Sequence, residues 1–167
     1  MRVFLLIATL VIFGSQALAQ KSVEPPADDA RAEDVQKWLS GALVKYGSYK
    51  TRGGVLDVSN VRFEGCTLKY TVTRKSGSTS TAVMGATRTV NITKDEVSLD
   101  VALMSNDGVK LSDHIYPELQ TIEIGLKKDE VSGSGDDRVI EIVVKQEAGK
   151  AIRTALLQSA RNCSTKN

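Results

Sequence analysis

Hydrophobic residues recur at helical spacing near both ends of the chain. In the first segment they stand three or four positions apart, which predicts an amphipathic helix from about Asp29 to Tyr46. Acidic residues at its start suit the positive end of the helix dipole, and Gly47 is expected to close the helix in a left-handed conformation. The last segment predicts a second helix from Gln146 to Cys163, with an apolar face formed by Ala148, Ile152, Ala155, Leu156, Ser159, Ala160 and Cys163.

Between the two helices, apolar and polar residues alternate over about 90 residues, which is typical of strands. The alternation predicts a hairpin that turns at Glu64-Gly65 and sets Phe63 opposite Cys66. Clusters of turn-forming residues predict two further turns, at Ser76–Thr79 and at Ser105–Gly108.

Three later strands are indicated by apolar alternation, in the sets Val97, Leu99, Val101 and Leu103, then Ile122, Ile124 and Leu126, then Ile140, Ile142 and Val144. This order of elements predicts an α+β fold. We expect an N-terminal helix, five to seven antiparallel strands in a curved sheet or partly open barrel, and a C-terminal helix packed on the sheet.

The first residues have the three-part pattern of a secretory signal, with Arg2, an apolar run over Val3–Phe13 and small residues ending at Ala19. An apolar run of about 11 residues is too short for a spanning helix, which needs roughly 20. We expect cleavage after Ala19, no stable membrane span afterwards, and a periplasmic or extracellular protein. The expected organisation is a signal peptide at 1–19, a flexible lead at 20–28, a single α+β domain at 29–163 and a disordered tail at 164–167.

The balance of charge argues against nucleic acid as a partner. The whole chain has 22 basic and 20 acidic residues, a net charge of +2, and loss of Arg2 with the signal would lower it to about +1. Such a chain offers little long-range attraction to a polyanion, and its lysines and arginines form no clustered stripe.

The two cysteines fall on the predicted inward faces of a strand and of the last helix. An oxidising compartment permits a bond between Cys66 and Cys163, and we predict this disulfide. It would close a loop of about 98 residues, for which the chain-entropy model gives roughly 4 to 5 kcal/mol of stability. Two buried free thiols or a redox pair are the alternatives, although the chain has no Cys-x-x-Cys spacing.

The sequence contains no recognisable catalytic motif. His114 is the only histidine and follows Asp113, so a hydrolase could be built around this pair, but no Gly-x-Ser-x-Gly elbow accompanies it. Asp95, Glu96 and Asp100 are candidates for sugar hydrolysis by paired carboxylates, but no aromatic sugar platform lies near them in the sequence. The single tryptophan, Trp38, lies on the apolar face of the first helix and is expected in the core.

Metal and cofactor signals are equally weak. One histidine and two paired cysteines cannot supply a usual zinc site. The acidic residues from Asp129 to Asp137 could offer oxygen ligands to calcium, but their spacing does not match a calcium-binding loop. No phosphate-binding or dinucleotide-binding loop occurs. We therefore assign no catalytic, metal-binding or cofactor-binding residues and expect no cofactor.

Three stretches, "AEDVQKWLSGALVKYGSY", "VRFEGCTLKY" and "AGKAIRTALLQSARNC", together resemble an uncharacterised family of small secreted proteins from environmental bacteria. The resemblance implies an N-terminal helix, antiparallel strands and a last helix with the second cysteine, and it implies no activity. The order of many strands and a closing helix is also similar to the pleckstrin-homology-like superfold, which implies a scaffold for peptide or ligand binding.

These features favour a non-enzymatic binding or interaction module. A sheet edge or the opening of the barrel would receive an unknown protein, peptide or small-molecule ligand. Two alternatives stay open, a carrier of a small apolar ligand inside a barrel and an envelope hydrolase whose residues converge only in three dimensions.

Overall fold

The computed structural model describes residues 23–51, 54–82, 85–126 and 139–164. The predicted signal peptide, residues 127–138 and the final three residues lie outside these ranges. The elements, in chain order, are α1 (Ala32–Tyr46), β1 (Tyr49–Thr51), β2 (Gly54–Glu64), β3 (Thr67–Ala82), β4 (Gly85–Asp100), the 3-10 helix η1 (Val101–Leu103), β5 (Met104–Asp113), β6 (Leu119–Leu126), β7 (Val139–Lys145) and α2 (Gln146–Ser164).

The described strands form two open antiparallel sheets, and within each sheet the strands pair in chain order. The first sheet has the order β1-β2-β3-β4 and the second has the order β5-β6-β7. Helix α1 packs on β2, α2 packs on η1 and on the second sheet, and the two helices pack on each other. The predicted α+β architecture with a C-terminal helix on the sheet is confirmed.

Helix α1 begins later and ends differently from the prediction. It starts at Ala32 because Arg31 has an extended backbone and serves as its N-cap. Gly47 has φ −81°, so the expected left-handed closure is wrong. Close approach explains this glycine instead, since a Cβ here would lie 2.6 Å from the carbonyl oxygen of Leu43 and 3.0 Å from Cγ2 of Val58.

Helix α2 follows the prediction closely and extends one residue further, to Ser164. Every residue of its predicted apolar face is buried. Gln158, also buried, donates from Nε2 to the carbonyl oxygens of Ala27 and Asp28, at 2.8 and 3.2 Å. The helix thus holds the segment that leads into α1.

The first hairpin turns one residue later than predicted. Phe63 pairs with Leu68 rather than with Cys66, and the two turn residues are Gly65 and Cys66. Gly65 has φ +61°, a conformation that glycine adopts without steric cost at the first turn position. Cys66 therefore lies in the turn, where it is only partly buried against the core.

The two other predicted turns are strand. Residues 76–79 belong to β3, where Ser76 pairs with Asn91 of β4, and residues 105–108 belong to β5. The chain turns at η1 instead, because the Asp100 side chain accepts a hydrogen bond from the backbone N–H of Ala102 at 3.0 Å. Val101 is fully buried, which anchors this turn in the core.

One hydrophobic core joins both sheets and both helices. Its fully enclosed larger side chains include Leu39 and Leu43 of α1, Leu68 and Leu99 of the first sheet, Ile122 and Ile124 of β6, and Ile152 and Leu156 of α2. Trp38 packs against this core but is only partly buried, so the prediction that it lies in the core is confirmed in part.

Candidate functional site

The predicted bond between Cys66 and Cys163 is present, with 5.9 Å between the Cα atoms. It fixes the first hairpin turn to the last turn of α2. The same turn accepts two further hydrogen bonds, from the Gln36 side chain to the oxygen of Gly65 at 3.1 Å and from the N–H of Val101 to the oxygen of Cys66 at 3.0 Å. Helices α1 and α2 and η1 thus meet at one hairpin turn.

The Asp113–His114 pair is not arranged as a catalytic dyad. The Nδ1 atom of His114 accepts a hydrogen bond from the backbone N–H of Tyr116 at 3.2 Å, and the two rings stack with centroids 5.5 Å apart. Asp113 is exposed at the end of β5, where it pairs with Gln120. His114 therefore shapes the turn between β5 and β6.

The candidate carboxylates of β4 also have separate positions. Asp95 binds the guanidinium of Arg74, and Asp100 caps η1. Glu96 points to the opposite side of the sheet from Asp95, because neighbouring strand residues alternate. The loop from Asp129 to Asp137 lies outside the described residues. Within the ranges that the structure covers, no group of three or more His, Cys, Asp or Glu side chains could hold a metal ion, and no helix is long and apolar enough to cross a membrane.

An opening in the described surface lies where β1 and β2 meet the second sheet and the start of α2. We call it the inter-sheet groove. It has a volume of about 560 Å³ and is lined from the first sheet and its leading residue by Ser48, Tyr49, Lys50, Val55 and Asp57, and from the second sheet and α2 by Glu118, Leu119, Lys145, Gln146 and Glu147.

Hydrogen bonds hold both sides of the groove. Ser48 accepts a hydrogen bond at Oγ from the N–H of Val58 at 2.9 Å, which joins the start of β1 to β2. On the other side, the oxygen of Glu118 accepts from the N–H of Gln146 at 2.9 Å, where α2 begins. The groove is therefore built on ordered strand and helix ends.

Two tyrosines lie along this opening. A neighbouring hollow shares Lys50 and Glu118 with the groove and adds Thr51 and Tyr116. Partial burial raises the pKa of Tyr49; Arg74 opposes this shift and Tyr116 adds to it. The phenol of Tyr49 is therefore neutral near pH 7 and can act as a hydrogen-bond donor or acceptor.

The charged residues of the groove have both signs. Lys50 and Lys145 face the same opening as Glu118 and Glu147. The remaining carboxylate, Asp57, lies 3.6 Å from the Nζ atom of Lys75. This rim of mixed charge can orient a peptide chain that has both positive and negative groups. A polyanion would be repelled by the carboxylates.

No sequence pattern predicts this groove. Its residues come from strand ends and short connections that are far apart in the chain, and none belongs to a motif with fixed spacing. Comparison with protein-family models, with curated proteins and with solved structures finds no match to this chain. Function is therefore inferred from the groove and from the residues around it.

Proposed function

We propose that this protein is an exported, disulfide-stapled binding module whose inter-sheet groove receives an extended peptide segment of a partner protein. The observation that carries the proposal is the groove itself, which opens beside an edge strand of the first sheet. Ligand sites commonly lie in such concave openings between structural units.

Strand β1 is suited to pairing with a peptide. Among the described strands it pairs with β2 alone, so every second residue along it directs its backbone N–H and C=O away from the sheet. An extended peptide can add a strand to such an edge, with main-chain hydrogen bonds for affinity and side-chain pockets for specificity.

The side chains beside β1 support the same class of ligand. Tyr49 and Tyr116 offer large amphipathic surfaces, and Leu119 is almost fully buried at the base of the groove. Aromatic side chains of this kind contribute much of the binding energy in peptide and protein interfaces. The charged rim would then select among peptide sequences.

Export and fold kinship belong to the same proposal. A disulfide between a hairpin turn and a terminal helix suits an oxidising compartment outside the cytoplasm. The analogy with the pleckstrin-homology-like superfold and kinship with the small secreted bacterial family stay proposals beside it.

The two alternative functions receive less support. A carrier needs an interior cavity, whereas side chains of α2 such as Ile152 and Leu156 fill the space against the sheets. A hydrolase centred on His114 needs a nucleophile or water beside its ring, whereas its Nδ1 atom is engaged by Tyr116.

Selection of peptides from a random library on the purified protein tests the proposal. We expect peptides that bind the inter-sheet groove and shift the backbone NMR signals of Tyr49–Thr51. The backbone nitrogens of the peptide can be methylated in two alternating sets. Methylation of one set should abolish binding and methylation of the other should leave it intact, because only every second N–H faces β1.

A charge variant makes the test specific to the groove. Glu118→Lys should weaken a selected peptide at least tenfold, whereas Lys94→Glu on the exposed side of β4 should leave its affinity unchanged. Failure to select any peptide, or selected peptides whose shifts map away from β1, would overturn the proposal.

A further inference from the structure

Gly41 stands exposed within α1 without a structural reason for being glycine. Glycine lowers helix stability relative to alanine, so an exposed glycine inside a helix calls for an explanation. A Cβ atom built at Gly41 meets no other heavy atom within 4 Å, and the residue is not among those with positive φ. Neither packing nor backbone conformation explains the glycine.

The missing side chain opens a groove on the outer face of α1. This α1 groove has a volume of about 500 Å³, and its floor and walls include Val23, Trp38, Gly41, Ala42 and Tyr46. Trp38 and Tyr46 are both only partly buried against the core, so their rings remain available at the surface. The groove is thus apolar and aromatic.

Two lysines flank the glycine along the helix. Lys37 precedes Gly41 by about one turn and Lys45 follows it by about one turn, and both line the groove. The Nζ atom of Lys45 lies 4.8 Å from the centroid of the Tyr46 ring. Asp34, the carboxylate that lines the groove, is bound by Arg31 at 3.0 Å.

The positive charge therefore prevails at the ends of the groove. The pKa of Lys45 is raised chiefly by its hydrogen bond to Tyr46, with a smaller contribution from Glu147. Glu147, which does not line the α1 groove, is thus the carboxylate that acts on this lysine. An anion that reaches Lys45 meets an ammonium held over an aromatic ring, beside an apolar surface.

From this arrangement we propose that the α1 groove binds a small amphiphile with an apolar tail and a carboxylate head. The tail lies over Gly41 and Ala42 between the rings of Trp38 and Tyr46, and the head pairs with Lys45. The glycine allows the tail to approach the helix backbone, and this contact is the advantage that offsets its lower helix stability. The site is separate from the inter-sheet groove and does not depend on peptide binding there.

The protein contains its own reporter for this site, because Trp38 is the only tryptophan. Decanoate added to the purified protein should change the Trp38 fluorescence in a saturable way. Decanol, which has the same tail and no charge, should bind at least tenfold more weakly. Equal binding of the two, or no saturable change with decanoate, would overturn the proposal.

Variants of the groove complete the test. Gly41→Leu should abolish the fluorescence response by filling the floor, and Lys45→Gln should weaken decanoate about tenfold towards the level of decanol. Val44→Ser, at an exposed position of the same helix that does not line the groove, should respond as the unmodified protein does. A normal response of Gly41→Leu would contradict the proposed site.

Thermal unfolding separates this site from a structural role of the glycine. Gly41→Ala should raise the melting temperature, since the added methyl group meets no neighbour and alanine favours the helix. It should also weaken decanoate. A lower melting temperature would show that the fold itself needs the glycine and would overturn the inference.

Discussion

The two ends of the β3–β4 hairpin have the same local structure and opposite surroundings. Both strands are 16 residues long and stay paired from Thr67 and Asp100 to Ala82 and Gly85. At the end near the disulfide, Leu68 and Leu99 are fully buried. Towards the other end, Val90 and Ile92 are 52% and 58% exposed.

The difference comes from what covers each end. Near Cys66, the turn that precedes β3 is joined to α2 by the disulfide, to α1 through Gln36 and to η1 through Val101. Pairing with β2 stops at Ser76, so the hairpin continues beyond it as two strands. Alternation of apolar and polar residues is thus enough to form strand pairs. Burial of those residues depends on elements that are distant in the chain.

Loss of the disulfide should have the largest effect. It should act on the covered end, which is the end of the β3–β4 hairpin near Cys66. Cys66→Ala and Cys163→Ala should each lower the free energy of unfolding by up to about 4 to 5 kcal/mol, because the unfolded chain loses a long closed loop. Urea unfolding under non-reducing conditions measures this loss. The double variant should be no less stable than either single variant, and additive losses would show that the cysteines act separately.

Core truncation and surface substitution on the same strand compare the two ends directly. Leu99→Ala should cost about 2 to 5 kcal/mol, because it leaves a cavity opposite Leu68. Ile92→Thr keeps a β-branched residue on the exposed side and should change stability by about 0.5 kcal/mol or less. Similar losses for the two variants, measured by chemical unfolding, would mean that the far end is also covered.

Tyr70 locates the limit of the covered end through its response to pH. Burial raises the pKa of Tyr70 to about 12, and Arg74 opposes this shift. In the unfolded chain a tyrosine has a pKa of about 10. The neutral ring therefore contributes stability that is complete below about pH 10 and is lost as the pH rises towards 12, at most about 2 to 3 kcal/mol.

Comparison of two phenylalanine variants isolates this effect from the titration of lysines. Tyr70→Phe should flatten the fall in stability between about pH 10 and pH 12, whereas Tyr49→Phe should alter it less, since Tyr49 is only partly buried. Unfolding by urea at stepped pH values measures both. An unchanged pH profile for Tyr70→Phe would show that the ring is reached by water in the folded state.

The helices and most strands could be predicted because their patterns are local. The apolar face of α2 and the burial of Ile122, Ile124, Ile142 and Val144 follow from spacing alone. The disulfide also followed from the pattern, even though the predicted register of its hairpin was wrong by one residue. Cys66 still reaches α2, because the turn itself lies beneath the end of that helix.

Turns and the two surface grooves could not be predicted in this way. The chain turns at η1 because Val101 is buried and Asp100 caps the next residues, and the burial of Val101 depends on tertiary contacts. Glycine and asparagine in residues 105–108 favour a turn but do not require one. The inter-sheet groove joins residues nearly 100 positions apart, about as far as Tyr49 is from Lys145, and no local pattern connects them.

The smallest effect should come from the ion pair at the boundary between the two ends. Arg74 and Asp95 are bound to each other across β3 and β4, with side chains 58% and 50% exposed. A double-mutant cycle with Arg74→Gln and Asp95→Asn should give a coupling energy of about 0 to 1 kcal/mol that declines with added salt. A coupling that salt does not weaken would mean that the pair is shielded from water. Arg74→Gln should also keep the Tyr70 phenol neutral to a higher pH, because the Arg74 cation lowers the pKa of this phenol. The folded protein should then keep its stability to a higher pH. If the alkaline limit stays unchanged when Arg74 is neutralised, the charge does not reach Tyr70, and the boundary of the covered end lies nearer to the disulfide than the ion pair.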